Sequence, residues 1–244
     1  MAGNLRRTGA LVRDFLWPTK CLFCQRPLED GETLLCAKCG PQVPWTGADC
    51  AQQGMYFDRC LSPLYYTEVF KPAFHRYKFL GHWHYSWVFG QWMWDCLQAN
   101  DPDCSRFDCI TWAPLSFWRR QRRGYDQARR LALAVSRFSG LPLQQTLVKF
   151  RHTPPQSGTE QAALRWENVR GVYRPKSGVP LEGKRLLLVD DVITTGATLE
   201  EASAVLRRAG AAEICCLTLA RSAYGREGKT GANCETMGDN GGKM

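Results

Sequence analysis

Residues 186–199 read LLLVDDVITTGATL. Leu186 to Val189 form a short continuous apolar run, the pattern of a central strand buried on both faces of a parallel sheet. The run ends at Asp190 and Asp191. Beyond them Thr194, Thr195, Gly196, Ala197 and Thr198 offer hydroxyls, an unencumbered glycine backbone and N–H donors just ahead of a helical pattern. Thr198 and Glu201 have the spacing of a capping box. Ala202, Val205, Leu206 and Ala209 follow at helical spacing, and Gly210 supplies a stop. A strand, a polar loop and a helix N-terminus in that order form an anion site, because exposed N–H groups and the helix dipole both favour negative charge. The two carboxylates cannot hold a phosphate, but they can accept hydrogen bonds from vicinal sugar hydroxyls or order the water shell of Mg²⁺. An acid pair beside an anion loop points to a ribose phosphate. The plainer alternative is a capped helix after a strand with surface acids. The chain has no G-x-x-x-x-G-K-[ST] run, and no G-x-G-x-x-G follows a strand, so neither a P-loop nor a dinucleotide fingerprint is present.

The 244 residues, 44% hydrophobic, suffice for one substantial core plus a small appendage. Lys and Arg number 32 against 23 Asp and Glu, a net +9 that favours anionic partners without choosing among nucleotides, pyrophosphate and nucleic acid. No apolar stretch is long enough to span a bilayer, and Arg13 and Asp14 interrupt the N-terminal segment, so a soluble cytoplasmic protein without membrane insertion is expected. Leu5, Val12, Phe15 and Leu16 fit a short amphipathic helix packed on the body. Twelve cysteines without an export signal favour metal binding over disulfides. Cys21 and Cys24 form one C-x-x-C knuckle and Cys36 and Cys39 another, a set that can close a tetrahedral, structural Cys₄ zinc site. The alternative is a reduced cluster packed with Leu22, Phe23 and Leu35. Cys50 and Cys60 resemble remnants of a further site, but Gln53 stands where a C-x-x-C partner would be.

The aromatic-rich stretch from 61 to 100 is expected to pack between the cysteine module and the main sheet, with base stacking as the alternative. His82 and His84 make a weak metal pair. Lys78, ahead of the turn at Gly81, is a candidate anion contact. Residues 107–115, FDCITWAPL, read as a buried strand ended by Pro114. Arginines 119, 120, 122 and 123 follow around Gly124, expected in the loop at that strand's C-terminal end, where open α/β sheets gather ligands. Guanidinium forks there suit pyrophosphate, and would suit a nucleic-acid backbone almost as well. Arg129 and Arg130 begin a helix carrying Leu131, Val135 and Phe138. Leu143 to Phe150 reads as the next strand. The segment RHTPPQSGTEQ that follows reads as a lid or an ordinary surface connection. Glu213 to Ala220 makes a last strand with Cys215 and Cys216 as core residues. The polar, glycine-studded tail is expected to be disordered.

Four motifs together resemble the ComF (GntX-like) family of phosphoribosyltransferase-domain proteins: the double C-x-x-C knuckle, R-R-G-Y-D-Q-A at 122–128, VDDVITTGAT at 189–198, and T-P-P-Q at 153–156 with Arg165, Asn168 and Val169 following. The resemblance implies a three-layer α/β/α type I phosphoribosyltransferase fold with a mostly parallel sheet. It implies domains at 1–60 (N-terminal helix and zinc ribbon) and 61–221, with a tail at 222–244. It also implies an association with competence and DNA uptake. Asp190 and Asp191 would grip the ribose of phosphoribosyl pyrophosphate (PRPP) in the presence of Mg²⁺, and Thr194 to Thr198 would hold its 5′-phosphate. Arg119, Arg120 and Gly124 would complete the substrate site, with Arg122 and Arg123 acting alongside the aspartates in catalysis. Cys21, Cys24, Cys36 and Cys39 would bind Zn²⁺. One position departs from the family: Asp126 stands where asparagine is usual. Thr194 and Thr195 also occupy places where purine-salvage relatives carry an acid, which disfavours a 6-oxopurine acceptor and leaves the nucleophile unnamed. Two functions stay open, a phosphoribosyltransferase or a non-catalytic accessory protein of DNA uptake that binds a ribose phosphate, single-stranded DNA or the competence machinery.

Overall fold

The computed structural model describes residues 20–151 and 170–222. The expected N-terminal amphipathic helix, the T-P-P-Q segment with its lid and R-x-x-N-V continuation, and all of the tail beyond Ser222 lie outside the described residues.

The central strand is β7 (Arg185–Ile193), paired in parallel on one side with β4 (Cys109–Trp112) and on the other with β8 (Glu213–Arg221). Because successive side chains in a strand point to opposite faces, the apolar run sorts into two cores. Leu187 and Val189 join Cys215, Leu217 and Leu219 on one face, while Leu186 and Leu188 join Ile214 and Cys216 on the other. The first core is covered by α1 (Lys71–Phe79), α2 (Tyr85–Asn100) and α4 (Gln127–Ser139). The second is covered by α5 (Ala197–Arg208), with Leu199, Ala202, Val205 and Leu206 facing inward. The result is a three-layer α/β/α arrangement on a mostly parallel sheet.

The sheet order is β1-β2-β8-β7-β4, where β1 (Ala51–Gln52) is antiparallel to β2 (Arg59–Leu61), and β3 (Leu64–Tyr65) continues alongside β8. The sheet therefore begins at Ala51, upstream of residue 61, where the α/β domain was expected to start. Residues 143–150 do not form one strand: Leu143 bridges to Ile110, and only β5 (Leu147–Lys149) is extended, paired antiparallel with β6 (Tyr173–Pro175) in a separate hairpin. Cys215 and Cys216 are fully buried, as expected of core residues.

The aromatic stretch packs the cysteine module onto the body. Phe23 meets Phe70 and Trp92 edge-on, with centroids 6.0 and 6.5 Å apart, and Trp45 meets Trp92 at 5.2 Å. Arg76 of α1 donates to the carbonyls of Leu22 and Phe23 at 2.8 and 2.5 Å, so the first knuckle is tied to this helix. Cys50 and Cys60 are buried, with Cys60 on β2 beside Thr218.

Helices α2 and α4 pack tightly at Gly90, where an added Cβ would lie 2.4 Å from that of Ala134. Gly90→Ala should therefore cost about 1–3 kcal/mol through overpacking, despite alanine's better helix propensity. Denaturant unfolding measures this directly, and unchanged stability would show that the two helices can separate without loss.

Candidate functional site

The C-terminal end of the sheet opens into a cleft of about 990 Å³. β7 delivers Asp190 and Asp191 to its floor. They lie inside the strand, not beyond it: the ladder to β8 continues through Asp190, Val192 and Ile193. The ladder fixes the backbone on which both carboxylates are displayed. Asp190 Oδ1 accepts the Asp191 N–H at 2.8 Å, and Asp191 Oδ2 pairs with Lys78 Nζ at 2.7 Å. Burial, and then the negative charge of Asp191, push the Asp190 carboxyl well above the usual carboxylate range against the pull of Lys78 and Lys149.

After Ile193 the chain turns through Thr194, Thr195 and Gly196 into α5. Gly196 is the N-cap at φ 80°, a left-handed conformation suited to glycine, and contributes no capping side chain. The expected capping box is therefore absent. The helix starts before Thr198, and Glu201 instead accepts the Gly171 N–H at 2.8 Å. Thr195 Oγ1 accepts from the Ala197 N–H at 3.5 Å. Thr194 and Thr198 line the cleft, while Thr195, Gly196 and Ala197 shape the turn.

The arginines occupy a short helix, α3 (Phe117–Arg123), rather than a loop, and Gly124 ends it in the left-handed region at φ 77°. Positions i, i+3 and i+4 share a helix face. Accordingly Arg119, Arg122 and Arg123 line the cleft, whereas Arg120 and Gly124 are absent from its wall. Arg120 lies over the exposed Phe117 ring at 5.9 Å. Burial weighs against the charge of Arg123, partly offset by Asp191.

Asp126 is absent from the cleft lining. It caps α4, accepting the Arg129 N–H through Oδ1 and the Leu115 N–H through Oδ2, each at 3.1 Å. Since Leu115 lines the cleft, Asp126 braces the cleft wall from behind. Burial raises its carboxyl pKa while these two N–H donors oppose the shift.

Sequence reasoning missed the wall formed by β5 and β6. Lys149 and Tyr173 face each other in register and both line the cleft. Burial, and then the charge of Arg119, push the Lys149 ammonium down to about 8. One signal was available: Lys149 lies two residues from Leu147, so a charged residue shares a strand face with a fully buried one. Lys78, singled out as a candidate anion contact, also lines the cleft.

In the N-terminal module, Cys21, Cys24, Cys36 and Cys39 bring their four sulfurs within 4.8 Å of one another. Cys24 Sγ and Cys36 Sγ are 3.7 Å apart, close to the edge of about 3.8 Å in a tetrahedron with 2.3 Å metal–sulfur bonds. The Cys36 N–H points at Cys21 Sγ across 3.4 Å. Gln25 completes the knuckle at φ 66°, anchored by its side-chain bond to the Cys21 carbonyl. This donor set fits a tetrahedral metal such as zinc. His82 and His84 do not join any cluster of three or more metal-ligating side chains among the described residues. No helix among the described residues is long and apolar enough to cross a membrane.

A family model for the phosphoribosyl transferase domain matches residues 121–236, covering α4, the hairpin, β7 with its turn, α5 and β8. Fold and match together define a phosphoribosyltransferase-domain protein of type I architecture with an N-terminal four-cysteine module. Among curated proteins, the chain is 29% identical over 227 residues to Competence protein F of Haemophilus influenzae, covering 83% of this chain and 97% of that one. It is 27% identical over 209 residues to DNA utilization protein YhgH of Escherichia coli K12, covering 83% and 90%. It is 31% identical over 159 residues to Competence protein ComFC of Streptococcus pneumoniae, covering 64% and 65%. Over most of its length the chain is similar to these ComF-type proteins.

Replacing Asp126 tests its bracing role. Asp126→Ala removes a helix cap and a second hydrogen bond, and should cost about 2 kcal/mol in denaturant unfolding. Asp126→Asn, which keeps one acceptor oxygen, should cost about half as much. Equal losses for the two variants would count against the two-bond account.

Proposed function

We propose that the cleft binds PRPP with Mg²⁺ and that the protein transfers the phosphoribosyl group to a nucleophile in the course of DNA uptake. The observation that carries this reading is the acid pair on β7 facing three arginines from one face of α3 within a single cleft. Asp190 and Asp191 would accept from the ribose hydroxyls and hold the water shell of Mg²⁺. The turn from Thr194 to Thr198, with the N-terminus of α5 behind it, would seat the 5′-phosphate. Arg119, Arg122 and Arg123 would take the pyrophosphate through paired N–H donors. When bound, Mg²⁺ would neutralise part of the pyrophosphate charge.

In the reaction the C1′–O bond breaks, pyrophosphate leaves with the electron pair, and the nucleophile bonds to C1′. Negative charge grows on the leaving oxygens, where Arg122 and Arg123 would stabilise it. Lys78 pairs with Asp191, so the ribose hydroxyls would compete with an existing partner. The names of the relatives, two competence proteins and a DNA utilization protein, support the biological setting.

The expected result is Mg²⁺-dependent PRPP binding by calorimetry, weakened about 10- to 100-fold by the double replacement of Arg122 and Arg123 with alanine. Asp190→Asn with Asp191→Asn should remove the Mg²⁺ dependence. Folded protein that binds no PRPP would overturn the reading, and binding without pyrophosphate release across a panel of amines and bases would reduce it to a sensor.

A second reading, single-stranded DNA binding in an accessory role, draws on a different observation. Arg123 lies 5.0 Å from the ring centroid of Phe79, Arg130 lies 4.8 Å from that of Trp83, and Trp118 is 68% exposed. Such interleaved cations and aromatics can pair with phosphates and stack on bases. Single-strand affinity should then fall steeply with salt and with alanine at Arg119, Arg120, Arg122 and Arg123. Affinity indifferent to both would remove this branch.

We infer also that the four-cysteine module holds one structural zinc. Metal analysis should find about one zinc per chain, lost in Cys36→Ser together with thermal stability. Metal-free protein of unchanged melting temperature would sink the assignment.

A further inference from the structure

The cleft holds a cation that the PRPP reading leaves unused. Of its lining cations, Lys78 is paired with Asp191, and Arg119, Arg122 and Arg123 come together from α3. Lys149 comes from a different element, the β5–β6 hairpin, and among the described residues no carboxylate lies within ion-pair distance of its Nζ. Its ammonium rests 5.1 Å from the ring centroid of Tyr173, a side chain only 5% exposed, so the lysine is held in position along the wall. Asp190 favours the Lys149 charge only through space, without pairing with it, while burial weighs against that charge, so an anionic ligand would supply the direct partner it lacks. Trp118 also lines the cleft and is largely exposed, offering an indole face to a flat ring. A volume of about 990 Å³ lies at the upper end of the range for small-molecule sites, leaving room for a second ligand beside PRPP.

We propose that Lys149 determines acceptor specificity: the nucleophile entering beside the ribose is a planar ring carrying an oxyanion, its charge met by the Lys149 ammonium and its face by the Trp118 indole. This inference rests on the phosphoribosyl reading of the cleft and names the class of its second substrate. A neutral purine would leave the lysine unsatisfied. A ring carboxylate would accept a charge-assisted hydrogen bond from it.

The test uses the full chain saturated with PRPP and Mg²⁺, with two probe pairs that differ chiefly in charge: nicotinate against nicotinamide, and benzoate against benzamide. Calorimetry should show each acid binding about tenfold or more tighter than its amide. Lys149→Met should erase that preference, and Lys149→Arg should keep it. Equal affinity for acid and amide, no measurable binding of either, or a preference that survives Lys149→Met would overturn the proposal. PRPP affinity is measured first on every variant. If wild-type protein binds no PRPP, the reading of the whole cleft fails and this inference with it. If Lys149→Met alone loses PRPP, Lys149 belongs to the pyrophosphate site and only the acceptor assignment falls.

Discussion

Two adjacent carboxylates stand at the end of a strand buried on both faces, and the surroundings of the cleft answer that constraint. Taking an ionised carboxylate out of water costs several kcal/mol unless cations or N–H donors replace its hydration. β7 supplies only one N–H of its own, because the side chains of Leu186 to Val189 are committed to the two cores. The rest of the compensation comes from other elements: Lys78 from α1, and positive charge from α3 and β5. The cleft is in this sense a set of elements converging on charge that one strand places there. Burial still outweighs these contributions at Asp190, whose carboxyl is pushed above the usual carboxylate range.

The helix that carries Lys78 also joins the cleft to the cysteine module. Two residues earlier on the same helix, Arg76 donates to the first cysteine knuckle. α1 is thus anchored by the cysteine module at one point and by the acid pair at another, with Phe70, Phe74 and Tyr77 buried between. A module with no residue in the cleft lining sets the position of a residue that does line it. This gives the N-terminal knuckles a physical connection to the pocket, beyond their own local stability.

Asp126 illustrates how a residue near a site can act without entering it. By sequence alone its carboxylate sits three residues from the arginine cluster. In the fold its oxygens are turned to the N–H groups of Leu115 and Arg129. It therefore holds the wall behind the arginines, consistent with the near-isosteric asparagine of the resembled family.

What the sequence determined by itself were the features set by local periodicity and spacing. The apolar run of β7 identified a central strand because burial on both faces leaves no place for a polar residue. The cysteine spacing identified the knuckles because two C-x-x-C pairs can place four thiolates around one ion. The tertiary structure decided which charges meet. Whether Arg119 or Arg120 lines the cleft depends on α3 being a helix, and Lys149 reaches the cleft only because an antiparallel hairpin sets it opposite Tyr173. Lys78 and Asp191, 113 positions apart, become an ion pair through the packing of α1 on the sheet. Such pairings depend on distances across layers, and no pattern along the chain encodes them.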